Sequence, residues 1–238
     1  MEKTKERMEA LWEHFSRVSV LSDKNGCRAL RIRHQKTGQD YILHLLPEEN
    51  PIYETLCRIR HPNLPAVYEI YRCADGMLVL EEYIEGLNVA QVAESGRYRK
   101  RGAKKVAEEV CRALIALHEE GFIHRDIKPE NVMIGKDGRV VLIDFNAARK
   151  KSMKSKDTVI MGTVGFAPPE QLGLSQSDER TDIYALGVLL NILLTGQYPT
   201  EGMAGGRLGR IIRRCTRVQA KERYQSAKSL YRALKIGI

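Results

Sequence analysis

His124–Asn131 reads HRDIKPEN and, after a short hairpin, Leu142–Asn146 reads LIDFN. An aspartate, a lysine two residues on, an asparagine three beyond that and a second aspartate after the hairpin are the groups that phosphoryl transfer needs. A carboxylate can orient and deprotonate a hydroxyl, an ammonium can neutralise phosphate charge, and carboxylate and amide oxygens suit a hard divalent cation.

The segments on either side have the pattern of a folded core. Before the loop, Lys104–Glu120 places Val106, Val110, Leu114 and Leu117 on one face and runs into Gly121, which predicts a long buried helix. After it, Asp182–Leu194 is almost wholly apolar past its first residue and reads as a second, central helix. Nearer the N-terminus, Val18–Leu21, Ala29–Arg33 and Tyr41–Leu46 read as three short strands separated by turn-rich SDKNGCR and HQKTGQD. Met1–Arg17 is expected to be a core-facing helix, with Met8, Leu11, Trp12 and Phe15 along one side.

Composition narrows the class. The chain has 238 residues, 43% of them hydrophobic, enough to bury a substantial core as one large domain or two small lobes. Five cysteines with no CxxC pair suggest neither a zinc site nor a complete disulfide framework, so a reducing, cytoplasmic setting is expected. No apolar run is long enough to cross a bilayer, and the charged MEKTKERMEALWEHF lacks a signal-peptide core. The net charge of +9 favours acidic partners, but no aromatic-interleaved basic motif points to specific nucleic-acid binding.

HRDIKPEN and LIDFN, with GTVGFAPPE at Gly162–Glu170 and CTRVQAKERYQSAKSLYRAL near the end, resemble the eukaryotic-type (Hanks-type) serine/threonine protein kinase family in a compact, bacterial-like form. The resemblance spans about residues 16–236 and implies an α+β, bilobal fold. It has a mostly antiparallel small lobe over residues 1–82 and a helical lobe over 83–238, with nucleotide between them and a hinge near Glu82. It implies that Asp126 orients the acceptor hydroxyl and takes its proton, Lys128 neutralises charge on the γ-phosphoryl, and Asn131 and Asp144 hold Mg²⁺ or Mn²⁺ beside ATP. His124 is expected to be a structural hydrogen-bonding residue, Asp182 to hold the loop backbone, Gly187 to permit close packing, and Arg223 to pair with Glu170.

Carried onto the small-lobe strands, the resemblance exposes departures. The phosphate-loop glycines fall on Ser22, Lys24 and Cys27, leaving only a displaced Gly26, and the third-strand lysine that grips phosphates falls on His44. Lys24, or else Arg28, is a candidate substitute cation. Pro47 and Pro51 interrupt the segment that should supply that lysine's glutamate, whose place falls on Ile52; Glu49 and Glu54 are the nearest acids. Glu82 and Tyr83 are the expected hinge residues, with Glu81 at the gatekeeper position. DFG reads DFN, and Asn146 is expected to take the glycine's positive φ.

The resemblance therefore implies transfer of the ATP γ-phosphoryl to a protein serine or threonine, with a pseudokinase acting as a nucleotide-binding or regulatory module as the other reading. A small-molecule phosphotransferase is disfavoured by GTVGFAPPE, which shapes a peptide platform. Ser152, Ser155 and Thr158 are candidate phosphorylation sites opposite Arg125, and Lys150, Lys151, Lys154 and Lys156 form a basic run beside them.

Overall fold

The computed structural model describes residues 2–24, 26–73, 76–94, 98–151, 165–166, 168 and 177–236, with side chains from residue 8 onward. Ser152, Lys154, Ser155, Lys156, Thr158, Thr163 and Glu170 lie outside the described residues. The chain divides into two compact units, Met1–His61 with Pro65–Ile84, and Pro62–Leu64 with Glu85–Ile238. The division after Ile84 lies beyond the expected 82/83 boundary, and the short Pro62–Leu64 return is a feature the sequence pattern does not announce.

In the first unit, α1 (Glu2–His14) leads into β1 (Phe15–Lys24), β2 (Cys27–His34) and β3 (Asp40–Leu46); α2 (Ile52–Arg58), β4 (Val67–Cys73) and β5 (Gly76–Glu82) follow. The five strands form one sheet in the order β1-β2-β3-β5-β4, with every neighbouring pair antiparallel. Side-chain alternation sorts its residues onto two faces. Leu30, Ile32, Leu43, Leu78 and Leu80 form one, packed with Leu11 of α1 and flanked by Met8, Trp12, Phe15 and Tyr41. The helix stops at His14, and Phe15 belongs to the strand, where its ring meets Tyr41 edge-on at 5.7 Å. The other face carries His44, Val79 and Glu81, near the fully buried Ile52, Tyr53 and Leu56 of α2.

Pro51 does not break α2 but starts it, because its fixed φ of −65° already suits a helix; Asn50 Oδ1 accepts the Ile52 amide at 3.2 Å. The β2–β3 hairpin is clamped by Asp40, which accepts from Arg31 Nε at 2.8 Å and Arg33 Nε at 2.7 Å. The Arg33 hydrogen bond, aided by Arg31 and opposed by slight burial, holds the Asp40 carboxyl down to about 2.

The second unit begins with β6 (Gly86–Asn88) and α3 (Val89–Glu94), then α4 (Lys100–Glu119), β7 (Phe122–Ile123), β8 (Val132–Gly135), β9 (Val140–Leu142) and β10 (Arg149–Lys150). It closes with α5 (Glu179–Thr195), α6 (Gly206–Cys215) and α7 (Ala227–Lys235). Helix α4 starts a turn before the expected Lys104 and buries Val106, Val110, Leu114 and Leu117, packing on α5 and α7. Helix α5 is capped by Asp178, whose side chain accepts the Arg180 amide at 2.8 Å, and ends at Gly196 in the left-handed conformation. Gly187 is required by packing: a Cβ there would lie 2.4 Å from Cys215 Cβ of α6.

Candidate active site

The stretch from β7 to β8 has little regular structure, so its shape rests on buried polar anchors. Asp182 is fully buried on α5 and accepts three bonds: from the His124 amide at 2.9 Å, the Arg125 amide at 2.8 Å and His118 Nε2 at 2.8 Å. These amides hold Arg125 at φ 69°, a conformation that only over-determined non-glycine residues keep. Burial alone would raise the Asp182 carboxyl; the His118 hydrogen bond and charge and the Arg125 amide outweigh it and hold it below the usual range.

His124 is the second anchor. Its Nδ1 accepts the Asp126 amide at 3.3 Å while Nε2 faces the Ile143 carbonyl at 3.2 Å, so the neutral ring protonated on Nε2 satisfies both. Complete burial pushes the imidazole pKa down, against the raising influence of Asp182, Asp144 and Asp126. Ile143 also donates its amide to the Asn131 carbonyl at 2.9 Å, so both sides of that residue are tied to the loop just before Asp144.

An acid-sensitive fold follows. A His124 with a lowered folded pKa takes up its proton more readily in the unfolded chain, so stability falls as pH drops below the ordinary 6.5. Asp182, lowered from 3.8, keeps its contribution above that value and loses it as pH falls further. Urea unfolding between pH 7.5 and 5 should show a slope of up to about 1.4 kcal/mol per pH unit from His124 that His124→Gln removes; an unchanged slope would contradict it.

The anchored loop brings three of the expected residues together. Asp126 Oδ2 accepts from Lys128 Nζ at 2.6 Å and from Asn131 Nδ2 at 2.8 Å, and Asn131 Nδ2 also reaches the Asp126 carbonyl at 2.8 Å. Asn131 therefore spends its amide nitrogen inside the loop and keeps its oxygen for another role. Asp144 sits at φ 65° and its Oδ1 accepts the Asn146 amide at 3.3 Å. The left-handed residue of the turn is thus Asp144, and Asn146 does not take the positive φ expected of it. The side-chain-to-amide bond makes the turn from the aspartate itself.

The first unit answers what surrounds His44. Its ring is buried, 5.7 Å from that of Tyr53, and its Nε2 lies 3.3 Å from Glu81 Oε1. Glu49 and Glu54 are not its partners; both face Arg72, Glu49 at 3.4 Å. The acid comes instead from β5, because β3 and β5 pair with Ile42 opposite Glu81, and His44 is two residues from Ile42 on the same face. Sequence reading missed this pairing; the antiparallel register is the signal that finds it.

The β1–β2 pairing runs to Lys24 opposite Cys27 with Gly26 at φ 78° beside it, and none of the three expected glycine positions, Ser22, Lys24 and Cys27, carries a glycine. Arg28 is engaged by Asp23 at 2.7 Å, whereas Lys24 is exposed and has no ion-pair partner among the described residues. At the other end of the sheet, the Glu82 amide donates to the Ala66 carbonyl at 2.8 Å and the Glu82 carboxylate accepts the Ala66 amide at 3.0 Å. Tyr83 lies under the Arg31 guanidinium, 4.4 Å from ring centroid to Cζ. Arg223, fully buried, donates to the carbonyls of Arg217, Arg180 and Val218 at 2.7 to 3.0 Å.

A family model described as the protein kinase domain matches residues 24–235. The chain belongs to the protein kinase family. Among curated relatives, a probable serine/threonine-protein kinase of Corynebacterium efficiens is 35% identical over 154 residues, 61% of this chain and 23% of the relative. Serine/threonine-protein kinase B of Synechocystis is 31% identical over 211 residues, 77% of this chain and 37% of the relative. Serine/threonine-protein kinase PrkC of Bacillus subtilis is 31% identical over 145 residues, 60% and 22% respectively. The kinase chain thus spans less than half the length of these relatives. No helix among its described residues is long and apolar enough to cross a membrane.

Proposed function

We propose that this kinase domain transfers the γ-phosphoryl group of ATP to a serine or threonine hydroxyl of a protein, in the cytoplasm. The observation that carries this is the convergence of Lys128 and Asn131 on one oxygen of Asp126. A carboxylate oriented in this way is suited to align an acceptor hydroxyl and take its proton as the bond to phosphorus forms. Lys128, two residues away, is placed to offset charge on the transferring group once it leaves the carboxylate. The serine/threonine class is supported by the relatives, which are serine/threonine-protein kinases, and by the lysine at position 128.

The oxygens of Asn131 and Asp144 fit a hard cation: one is an amide oxygen left over from the loop, the other a carboxylate with one oxygen engaged by a backbone amide. Mg²⁺ or Mn²⁺ held there would screen the phosphate oxygens of ATP. On the nucleotide side, Lys24 and His44 are the proposed phosphate contacts, and Glu82 and Tyr83 the adenine-side segment. Since the Glu82 amide is already used by Ala66, the Tyr83 backbone is the better adenine contact.

Intact-protein mass after incubation with ATP and Mg²⁺ or Mn²⁺ and a generic acceptor protein tests the reading. A phosphate gained with wild type and absent with Asp126→Asn supports transfer; no gain with either leaves a nucleotide-binding or regulatory module. His44 adds a second check. A permanent cation at this position supplies a charge-assisted bond to phosphate, so His44→Lys should bind a fluorescent ATP analogue about tenfold more tightly than wild type at pH 8. Unchanged affinity would remove His44 from the phosphate site.

A further inference from the structure

Away from the loop, α6 presents a basic surface that phosphoryl transfer does not use. Residues 202–221 contain no aspartate or glutamate, and Arg210, Arg213, Arg214 and Arg217 together with Glu222 line a groove of about 490 Å³. Among the described residues no carboxylate pairs with Arg210, Arg213 or Arg217. Cations in a last helical turn complement the helix dipole, which accounts for Arg213 and Arg214 but not for Arg210 or for Arg217 beyond the helix.

The backbone beneath the groove is anchored. The opposite face of α6 buries Leu208, Ile211, Ile212 and Cys215, and Cys215 packs against Gly187 of α5. Arg214 Cζ lies over the Tyr224 ring, 4.4 Å from its centroid. The carbonyls of Arg217 and Val218 are gripped by buried Arg223, which sets the direction of the turn that carries Arg217. The backbone that carries the arginines therefore needs no reordering when an anion enters, and the cost of binding is confined to the arginine side chains.

We propose that this groove docks a phosphorylated, acidic segment of a partner protein. Guanidinium forks match phosphate oxygens two at a time, a geometry lysine lacks. From Arg210 to the helix end at Cys215 the rise is about 7.5 Å, and Arg217 lies two residues further on, a row matched by about three residues of extended peptide. Two phosphates, or a phosphate and a carboxylate, at that separation would each meet an arginine pair. A nucleic-acid strand is the poorer fit, since it needs open aromatic faces and Tyr224 is covered by Arg214. A bilayer needs a broad basic plane, and Glu222 sits in the wall. The inference does not depend on phosphoryl transfer.

The test is fluorescence anisotropy on the whole chain without nucleotide. The probe is a fluorescein-labelled peptide carrying two phosphoserines three residues apart among glutamates. Its serine counterpart, a single-stranded decanucleotide and phosphatidylserine vesicles serve as competitors. The combined Arg210→Ala, Arg213→Ala and Arg217→Ala variant should bind the phosphopeptide at least tenfold more weakly, with an unchanged thermal midpoint. Glu222→Ala should bind it more tightly, a direction that misfolding does not produce, and Lys36→Ala on the β2–β3 turn should match wild type. Equal binding by the arginine variant and wild type overturns the proposal, as does stronger competition from the oligonucleotide or the vesicles than from unlabelled phosphopeptide.

Discussion

Asp126→Asn is expected to lower phosphoryl transfer by about 10² to 10⁴, the range that a positioned general base supplies. The fold should survive, because a carboxamide oxygen can take the place of Oδ2 as acceptor for Lys128 Nζ and Asn131 Nδ2. What is lost is basicity: the amide cannot accept the hydroxyl proton. The readout is initial rate with saturating ATP beside a thermal midpoint and the affinity for the ATP analogue, both of which should match wild type. A variant that turns over at the wild-type rate would show that the carboxylate is architectural and would undo the assignment of Asp126. A loss of rate accompanied by loss of nucleotide affinity would point to damage beyond the base.

Asp182→Ala should destabilise the second unit by about 3–5 kcal/mol, the usual penalty for removing one partner from a buried charged cluster. Three things fail together. The amides of His124 and Arg125 lose their acceptor in a buried setting, His118 loses its carboxylate, and Arg125 keeps a left-handed backbone with nothing to hold it. In a chain of this size the thermal midpoint should drop by roughly 10 °C. Asp182→Asn, which keeps one acceptor oxygen, should lose less. A loss under about 1 kcal/mol for the alanine variant would mean that the loop is held by other contacts.

The meeting of Asp126, Lys128 and Asn131 in the loop was legible in the sequence because they lie within six residues of one another, so local chain geometry suffices to gather them. The helices around it were legible for a similar reason: the apolar stripe of α4 and the apolar run of α5 are local patterns, and only their ends shifted by about a turn. Phe15 was misread as helical because it lies four residues after Leu11 and also suits the first position of a strand. The partner of His44 was not legible. Position along the chain favoured Glu49 and Glu54, while the pairing register of β3 and β5, a non-local property, chose Glu81. The Asn146 expectation failed because asparagine's tolerance of positive φ says only where such a turn is allowed; the Asp144 side chain decided where it formed.

Asn63 has one more consequence. Its carbonyl accepts the Leu142 amide at 3.0 Å, and its side chain donates to the Val140 carbonyl at 2.7 Å and to Glu109 at 2.9 Å, so a tripeptide from the middle of the first unit's sequence is built into the second. Neither unit is a contiguous module. Severing the backbone at Ile84 would not yield two self-sufficient pieces, since the longer one would leave the Val140 carbonyl and the Leu142 amide without their acquired partners. Recombination, duplication or exchange of the helical portion between related chains must carry residues 62–64 with it, which ties the inheritance of the two parts together.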